Sequence, residues 1–348
     1  MMPTIFRQAN RGAWRLAAAL LMALVNAGAQ ADEAKTDAQE LKVSVAVGPA
    51  YALGQAAERW AQRVSDKSEG QLVARLHPGA VLSLRDPALE FVALRDGAAD
   101  LAIGSSLFWS AQVPQLAVVS LPWLAPEPAQ LDALVAGPVA ETLLAAVARN
   151  GVVPLALASL GHRELALRAK AVKVPGDLAG LKIRIPPSPV LAAMYGALGA
   201  QPLTMPFAQA QAALAAGTVD AQDGSSATFA ATRLDSLGLK WVVQWGAVAE
   251  VAVFAVNQAR WNALTEAQRA VVRDSAKEIA RELALLVRKE DEAALEALRK
   301  GGMTVVRLTP AGRAPFAAAV RGAYDKLAAD AGSELARAAE AAVKATAQ

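Results

Sequence analysis

The sequence predicts an α/β fold of two domains, in which helices pack against sheets. Segments with the alternating hydrophobicity of strands occur in turn with segments of helical spacing along most of the chain. Hydrophobic residues make up 54% of the chain, yet only 5% are aromatic and alanine is abundant, which favours helices packed on sheets. The 348 residues include no cysteine, and a chain of this length can bury two cores without disulfides or thiolate metal sites.

The N-terminal 31 residues have the three parts of a secretory signal peptide. Arg7, Arg11 and Arg15 form a basic region, and ten apolar residues follow over 16–25. Small residues then permit cleavage after Ala31. An uncleaved membrane anchor is the alternative, but this apolar run is too short to span a bilayer. We therefore expect export to the periplasm.

Removal of the signal peptide changes the charge of the chain. The whole sequence has 35 basic and 32 acidic residues, and the three arginines of the signal account for the entire excess. The mature chain is balanced, so its charge offers no basis for binding nucleic acid or an anionic membrane. No later segment reaches the length of uninterrupted apolar sequence that a membrane helix requires, so we expect no membrane insertion of the mature chain.

Strands and helices can be assigned to both halves of the chain. In the first half, Leu41, Val43, Val45 and Val47 alternate along a strand that ends at a glycine and a proline. The predicted strands are 41–47, 71–76, 100–104, 152–158, 181–185 and 218–222. The predicted helices are 51–66, 87–96, 188–198, 207–216, 265–300 and a C-terminal helical stretch at 316–346.

The helix predicted at 265–300 is unusually long. Thr265 and Gln268 form a capping box at its start, and a pair of glycines ends it. At 1.5 Å per residue it would extend about 54 Å, which exceeds one small domain. It is predicted either to run along both domains or to kink near 290–292.

The two halves share a short sequence. Residues 93–106 and 213–226 are identical at seven of fourteen positions, including an internal glycine and aspartate and a closing Gly-Ser-Ser. Coincidence is one interpretation in an alanine-rich chain. The other is that each half ends a helix at glycine, enters a strand through aspartate and leaves it by a small polar loop. Such loops at the carboxyl ends of strands bind ligands in open α/β sheets, and two of them would line an interdomain cleft.

Motifs for catalysis are absent from the sequence. The two histidines, His77 and His162, have no partners at metal-binding spacing, and an ordinary surface or turn position is the favoured interpretation of each. No nucleophile elbow, Ser-x-x-Lys pair or phosphate-binding glycine loop occurs. We predict no catalytic residue, metal site or cofactor.

Two arginines support ligand binding instead. Arg163 and Arg184 lie near the start of the second half, and Arg184 lies in the apolar strand 181–185, which is followed by two prolines. A buried arginine needs a partner because its charge is costly to desolvate, and its planar fork suits a carboxylate. From the spacing alone, that carboxylate could belong to a ligand or to a protein acid.

The mature chain from about 41 to 330 resembles the solute receptors of tripartite ATP-independent periplasmic (TRAP) transporters. The run Asp-Leu-x-Gly-Leu-Lys-Ile-Arg that ends at Arg184, with the Gly-x-Val-Asp that ends at Asp220, is quite specific. Further segments that carry the resemblance are 84–106, 113–124, 161–165, 174–189, 199–224 and 254–272.

The resemblance implies a two-domain periplasmic-binding-protein-like fold, close to type II, with a ligand cleft between the domains and a long helix across both. The implied boundaries are 41–160 with about 250–285 for domain I, about 161–249 with about 290–315 for domain II, and 316–348 for a C-terminal helical region.

The resemblance also implies the binding residues. The principal carboxylate-binding arginine falls on Arg184, a second arginine on Arg163, and an aromatic residue that packs on the solute on Phe207. Where the family commonly has an asparagine, this chain has Gly224, so backbone groups or hydroxyls such as that of Ser225 must replace the amide.

The implied function is a receptor that passes a small organic acid to TRAP membrane subunits and is not an enzyme. An exported enzyme acting on an organic acid and a periplasmic ligand sensor are the alternatives. The sequence leaves open whether the protein is a monomer or a dimer, which acid it takes, and whether a metal ion accompanies the ligand.

Overall fold

The structure of the protein, a computed structural model, describes residues 38–346. The signal peptide expected at 1–31 lies outside the described residues. Thirteen helices and nine strands cover most of the described chain. The strands are β1 (Gln39–Val45), β2 (Leu72–Pro78), β3 (Leu101–Ser105), β4 (Val152–Leu167), β5 (Lys182–Ile185), β6 (Gln201–Thr204), β7 (Ala221–Gly224), β8 (Trp241–Asn257) and β9 (Thr304–Arg307).

The α-helices in chain order are α1 (Ala52–Lys67), α2 (Glu90–Arg95), α3 (Ser106–Trp109), α4 (Pro128–Leu134), α5 (Gly137–Ala148), α6 (Pro189–Ala197), α7 (Phe207–Ala215), α8 (Ser226–Ala231), α9 (Gln258–Ala263), α10 (Glu266–Lys300), α11 (Pro310–Ala319), α12 (Arg321–Ala331) and α13 (Ser333–Ala345).

All nine strands belong to one mixed sheet. Its order is β2-β1-β3-β8-β4-β7-β5-β6, and β9 also pairs with β8. The early residues of β8 lie beside β9, whereas its later residues lie beside β3. Because β4 pairs antiparallel with β8 over nearly its whole length, these two strands join a β1–β3 half of the sheet to a β5–β7 half.

The pairing of β4 with β8 is interrupted in its middle. The register shifts between Ser159 and His162, where Gly161 has a φ of +79°. A positive φ favours glycine, and an irregularity of this kind bends a strand locally. The shift coincides with the domain boundary expected at 160/161.

Helix α10 is one continuous helix of 35 residues that runs unbroken through 290–292. The predicted capping box forms, with Thr265 Oγ1 accepting from the Gln268 amide and the Gln268 side chain accepting from the Thr265 amide. Its first half buries Ile279 and Leu283 with the strands and helix of the β1–β3 half. Its last turns bury Leu298 with residues of the β5–β7 half.

Several sequence expectations need correction. Strand β4 continues to residue 167 instead of ending at 158, and the 17-residue β8 was not predicted. Strand β8 is a nearly continuous apolar run, and periodicity cannot identify a strand that is buried on both faces. Strand β4 continues through the polar segment 159–164, which interrupts the hydrophobic pattern. His77 and His162 lie in strands rather than turns, and the His162 ring nitrogen is 2.8 Å from the Ala125 carbonyl oxygen.

No single helix within residues 38–346 is both long and apolar enough to cross a membrane. Only α4 and α5 taken together, with a bend of 56° between them, meet the length and composition of a span.

Candidate functional site

Arg163, in the middle of β4, is a buried cation with two carboxylate partners. Its Nε lies 2.5 Å from Asp223 Oδ1 and its Nη1 lies 2.5 Å from Glu250 Oε1. The third nitrogen, Nη2, is directed at the Asp223 carbonyl oxygen at 3.5 Å. Burial opposes the charged form, but the two acids outweigh burial and raise the pKa of Arg163. Every nitrogen of this guanidinium therefore has a protein partner.

The two acids are held by further donors. Tyr195 on α6 donates its hydroxyl to Asp223 Oδ2 at 2.9 Å, and Ser105 donates its hydroxyl to Glu250 Oε2. Asp223 is 1% exposed, and burial raises its pKa against the lowering effect of Arg163 and Tyr195. Four strands and one helix thus contribute to a single polar network around Arg163.

Arg184, at the carboxyl end of β5, is buried without a counter-ion. It is 4% exposed, and its one protein hydrogen bond runs from Nη2 to the Met205 carbonyl oxygen at 3.0 Å. Its buried Nε has no hydrogen-bond partner, and no carboxylate of residues 38–346 lies within ion-pair distance of it. Burial first, and the nearby charge of Arg163 second, lower the pKa of Arg184 to about 10. The side chain is consequently still a cation at neutral pH.

Phe207, the first residue of α7, provides an apolar surface beside this cation. The Cζ atom of Arg184 lies 5.9 Å from the centroid of the Phe207 ring, within the range of a cation–π contact. The ring is 46% exposed, so one part faces the arginine and another part is open to contact.

Gly224 ends β7 where the family pattern has an asparagine. A Cβ at this position would lie 2.9 Å from Cε1 of the fully buried Phe229 ring. The phenylalanine thus occupies the space that a side chain at 224 would need. The neighbouring Ser225 caps α8: its Oγ accepts from the Thr228 amide and bonds to the Thr228 hydroxyl, so its hydroxyl is committed to the helix.

The sequence repeat corresponds to equivalent structure in the two halves. Asp100 accepts the amide of Lys42 at 2.8 Å, and Asp220 accepts the amide of Lys182 at the same distance. Each aspartate precedes a strand that ends at a serine cap, Ser105 before α3 and Ser225 before α8. The two loops differ in use, because Ser105 also bonds to Glu250.

Sequence reasoning missed four members of the Arg163 network, namely Ser105, Tyr195, Asp223 and Glu250. One signal was available: Glu250 is the only charged residue in the 15-residue run 242–256. A lone acid in a buried strand needs a partner, since an isolated buried charge is costly. The partner itself could not be read from the chain, because Arg163 and Glu250 are 87 residues apart.

Comparison with known proteins identifies the family. The profile of the bacterial extracellular solute-binding proteins, family 7, matches residues 43–330. A solved TRAP periplasmic solute-binding protein from Ralstonia eutropha is 38% identical, covers 88% of this chain and 98% of its own, and superimposes with a TM-score of 0.84. A second, from Bordetella bronchiseptica, is 27% identical over 87% of this chain and 98% of its own, with a TM-score of 0.78. The C4-dicarboxylate-binding periplasmic protein of Rhodobacter capsulatus is 26% identical over 87% of this chain and 90% of its own.

These matches cover the same elements that build the Arg163 network and the Arg184 site. The architecture is the two-domain periplasmic-binding fold of the matched structures. The chain belongs to family 7 of the bacterial extracellular solute-binding proteins, the family of TRAP transporter receptors.

Proposed function

We propose that this protein is a periplasmic receptor that binds a small organic acid through Arg184 and delivers it to TRAP membrane subunits. One observation carries the proposal: Arg184 is a buried, charged arginine without a counter-ion among residues 38–346. A protein does not gain stability from a desolvated, unpaired cation. The carboxylate of a ligand would supply the missing partner with two parallel hydrogen bonds.

The relatives are consistent with this ligand class. The Ralstonia eutropha protein was solved with bound (S)-2-acetolactate, and density in the Bordetella bronchiseptica protein was assigned to pantoate. Both ligands are small carboxylates with polar substituents. We expect Arg184 to contact the carboxylate and Phe207 to contact the carbon skeleton.

We propose that binding is coupled to closure of two domains. The proposed domains are 41–160 with about 250–285, and about 161–249 with about 290–315. The register shift at Gly161 gives β4 a place to bend, and α10 packs on both halves of the sheet. Closure over the acid would exclude water and strengthen the charge-assisted bonds to Arg184.

A thermal-shift screen of mono- and dicarboxylates, keto acids and sugar acids tests the ligand class. An acid at 100 times its dissociation constant adds about 2.7 kcal/mol to the free energy of unfolding. Acids that raise the melting temperature are then measured by calorimetry. No shift with any acid of the screen would contradict the proposal.

Variants of Arg184 test the anchor. Each charge-assisted bond contributes about 1.5–3 kcal/mol, so Arg184→Ala should weaken binding at least about tenfold. Arg184→Lys should also fail, because an ammonium group cannot present the planar fork. Arg149→Ala removes an exposed arginine of the same chain and should bind as the wild type does. Unchanged affinity in Arg184→Ala would show that another group is the anchor.

The fate of the acid distinguishes a receptor from an enzyme on the same fold. We expect the bound acid to be recovered unchanged after long incubation with the protein. Conversion of the acid would favour an exported enzyme. Stimulated uptake in vesicles that contain TRAP membrane subunits would separate a transport receptor from a sensor.

A further inference from the structure

We infer that this receptor selects acids with one negative charge over acids with two. The inference rests on the proposed function, because it describes the ligand of the Arg184 site. It follows from how the two arginines differ in their carboxylate partners: Arg184 has none among residues 38–346, and Arg163 has two.

The first step is the count of buried charges. The Arg163 network contains one cation and two carboxylates, Asp223 and Glu250. Arg184 adds the second cation, close enough for the charges of Arg163 and Asp223 to act on it. The Arg163 network has a net charge of −1 and Arg184 has a charge of +1, so the four side chains together are neutral although Arg184 makes no ion pair within residues 38–346. One ligand carboxylate pairs directly with Arg184 and brings the set to a net charge of −1. A second carboxylate brings it to −2 and lies beside a network that already has one more acid than base.

The second step is that Arg163 already has two protein carboxylates, so a ligand carboxylate at either of its remaining Nη hydrogens would be a third anion beside one cation. Its Nε, Nη1 and Nη2 are all directed at oxygens of Asp223 or Glu250. A ligand that took one of these positions would have to displace a protein carboxylate. The displaced group would then be a buried anion without a counter-ion, which is strongly unfavourable.

The third step is that the two acids are fixed in place. Asp223 is fully surrounded and accepts from the Tyr195 hydroxyl, which is itself buried. Glu250 accepts from Ser105, whose Oγ also caps α3. Rotation of either acid away from Arg163 would break one of these bonds as well. Asp223 and Glu250 together therefore keep Arg163 from serving as a second anionic subsite, and Glu250 is the less buried of the two.

Matched acids that differ only by one carboxylate test the inference on the wild-type protein. The pairs are 2-hydroxy-2-methylbutanoate with 2-hydroxy-2-methylbutanedioate, butanoate with butanedioate, and galactonate with galactarate. Affinities are measured by calorimetry at pH 7.5. In every pair of which at least one acid binds, we expect the monoanion to bind at least about tenfold more tightly than the dianion. Equal or tighter binding of the dianion would overturn the inference and leave the proposed function intact.

The variant Glu250→Gln then tests the residue assigned to the selection. It keeps the size and a hydrogen-bond acceptor for Arg163 but removes one negative charge. We expect Glu250→Gln to reduce the ratio of monoanion to dianion affinity by about tenfold. The matched control is Glu58→Gln, which removes an exposed acid on α1 and should leave that ratio unchanged. An unchanged preference in Glu250→Gln would overturn the role of Glu250. If no member of these pairs bound, further pairs would be made from the acids that the thermal-shift screen identifies. Failure of every acid in that screen would overturn the proposed function together with the inference.

Discussion

The two buried arginines of this protein are in opposite situations. Arg163 has a partner for each of its three guanidinium nitrogens, and two acids raise its pKa. Arg184 is also buried but has one carbonyl partner, an orphaned Nε and a pKa lowered to about 10. Burial alone therefore does not distinguish a structural arginine from a binding one. The distinction is whether the protein itself supplies the counter-ion.

A buried acid, Glu164, shows why the unpaired arginine requires a ligand. Glu164 follows Arg163 in β4 and has no cationic partner among residues 38–346, only the amides of Trp245 and Gly246. Burial raises its pKa to about 8, so this acid avoids an unpaired charge by taking up a proton. Arg184 cannot lose its charge in the same way, because its pKa of about 10 lies well above neutral pH.

The largest expected effect is on stability in the absence of ligand. Arg163→Met leaves Asp223 and Glu250 buried without their cation, and it should lower the free energy of unfolding by about 3–5 kcal/mol. Arg184→Met removes an unpaired cation and should change it by less than about 1 kcal/mol or increase it. Urea denaturation of both variants measures the difference. Equal losses in the two variants would break the comparison.

A pH dependence tests Glu164. Its folded-state pKa of about 8 lies above the ordinary value of 4.5, so its contribution is complete below about pH 4.5 and is lost as pH rises toward 8. Between pH 4.5 and about 8, Glu164 should therefore lower the free energy of unfolding by up to about 1.4 kcal/mol per pH unit. Glu164→Gln should remove that part of the slope. Burial also raises the pKa of Glu90 to about 7, so Glu90 adds to the slope in both the wild type and the variant. The measured quantity is therefore the difference between the two slopes of unfolding free energy against pH.

The contact between Gly224 and Phe229 should give a smaller effect. Gly224→Ala places a Cβ within 2.9 Å of the ring and should lower stability by about 1–3 kcal/mol through overpacking. Phe229→Leu, which withdraws the aromatic edge, should make the substitution at 224 less harmful than it is alone. Melting temperatures of the two single variants and the double variant complete the cycle. Additive losses would mean that the ring does not limit residue 224.

The smallest expected effect concerns Phe207. Because its ring is half-exposed and contacts Arg184 only through a long cation–π interaction, Phe207→Ala should reduce acid affinity by about threefold to tenfold. Phe207→Leu, which keeps apolar surface without the π face, separates the two contributions. A loss in Phe207→Ala larger than that in Arg184→Ala would mean that the acid is bound mainly by its carbon skeleton.

Local patterns in the sequence were sufficient for much of the fold. The capping box at Thr265 and Gln268, the glycine that ends each helix of the repeat, and the aspartates at 100 and 220 act through neighbours close in the chain or through backbone amides. Most of the expected helices and short strands accordingly occur within a few residues of their predicted bounds. The C-terminal stretch expected at 316–346 is instead three helices, α11 to α13, that begin at Pro310. The long strand β8 was missed, because a strand with both faces buried has no alternating pattern to detect.

The sequence by itself determined that the chain has an α/β fold, that Arg184 stands at the end of an apolar strand, and that Gly224 interrupts the family pattern. Only the tertiary structure decided which arginine has a protein counter-ion. Residues 105, 163, 195, 223 and 250 come from separate elements, and no periodicity links them. The physical reason is that a local pattern reports which face of an element is buried, whereas the pairing of buried charges depends on which elements the fold brings together.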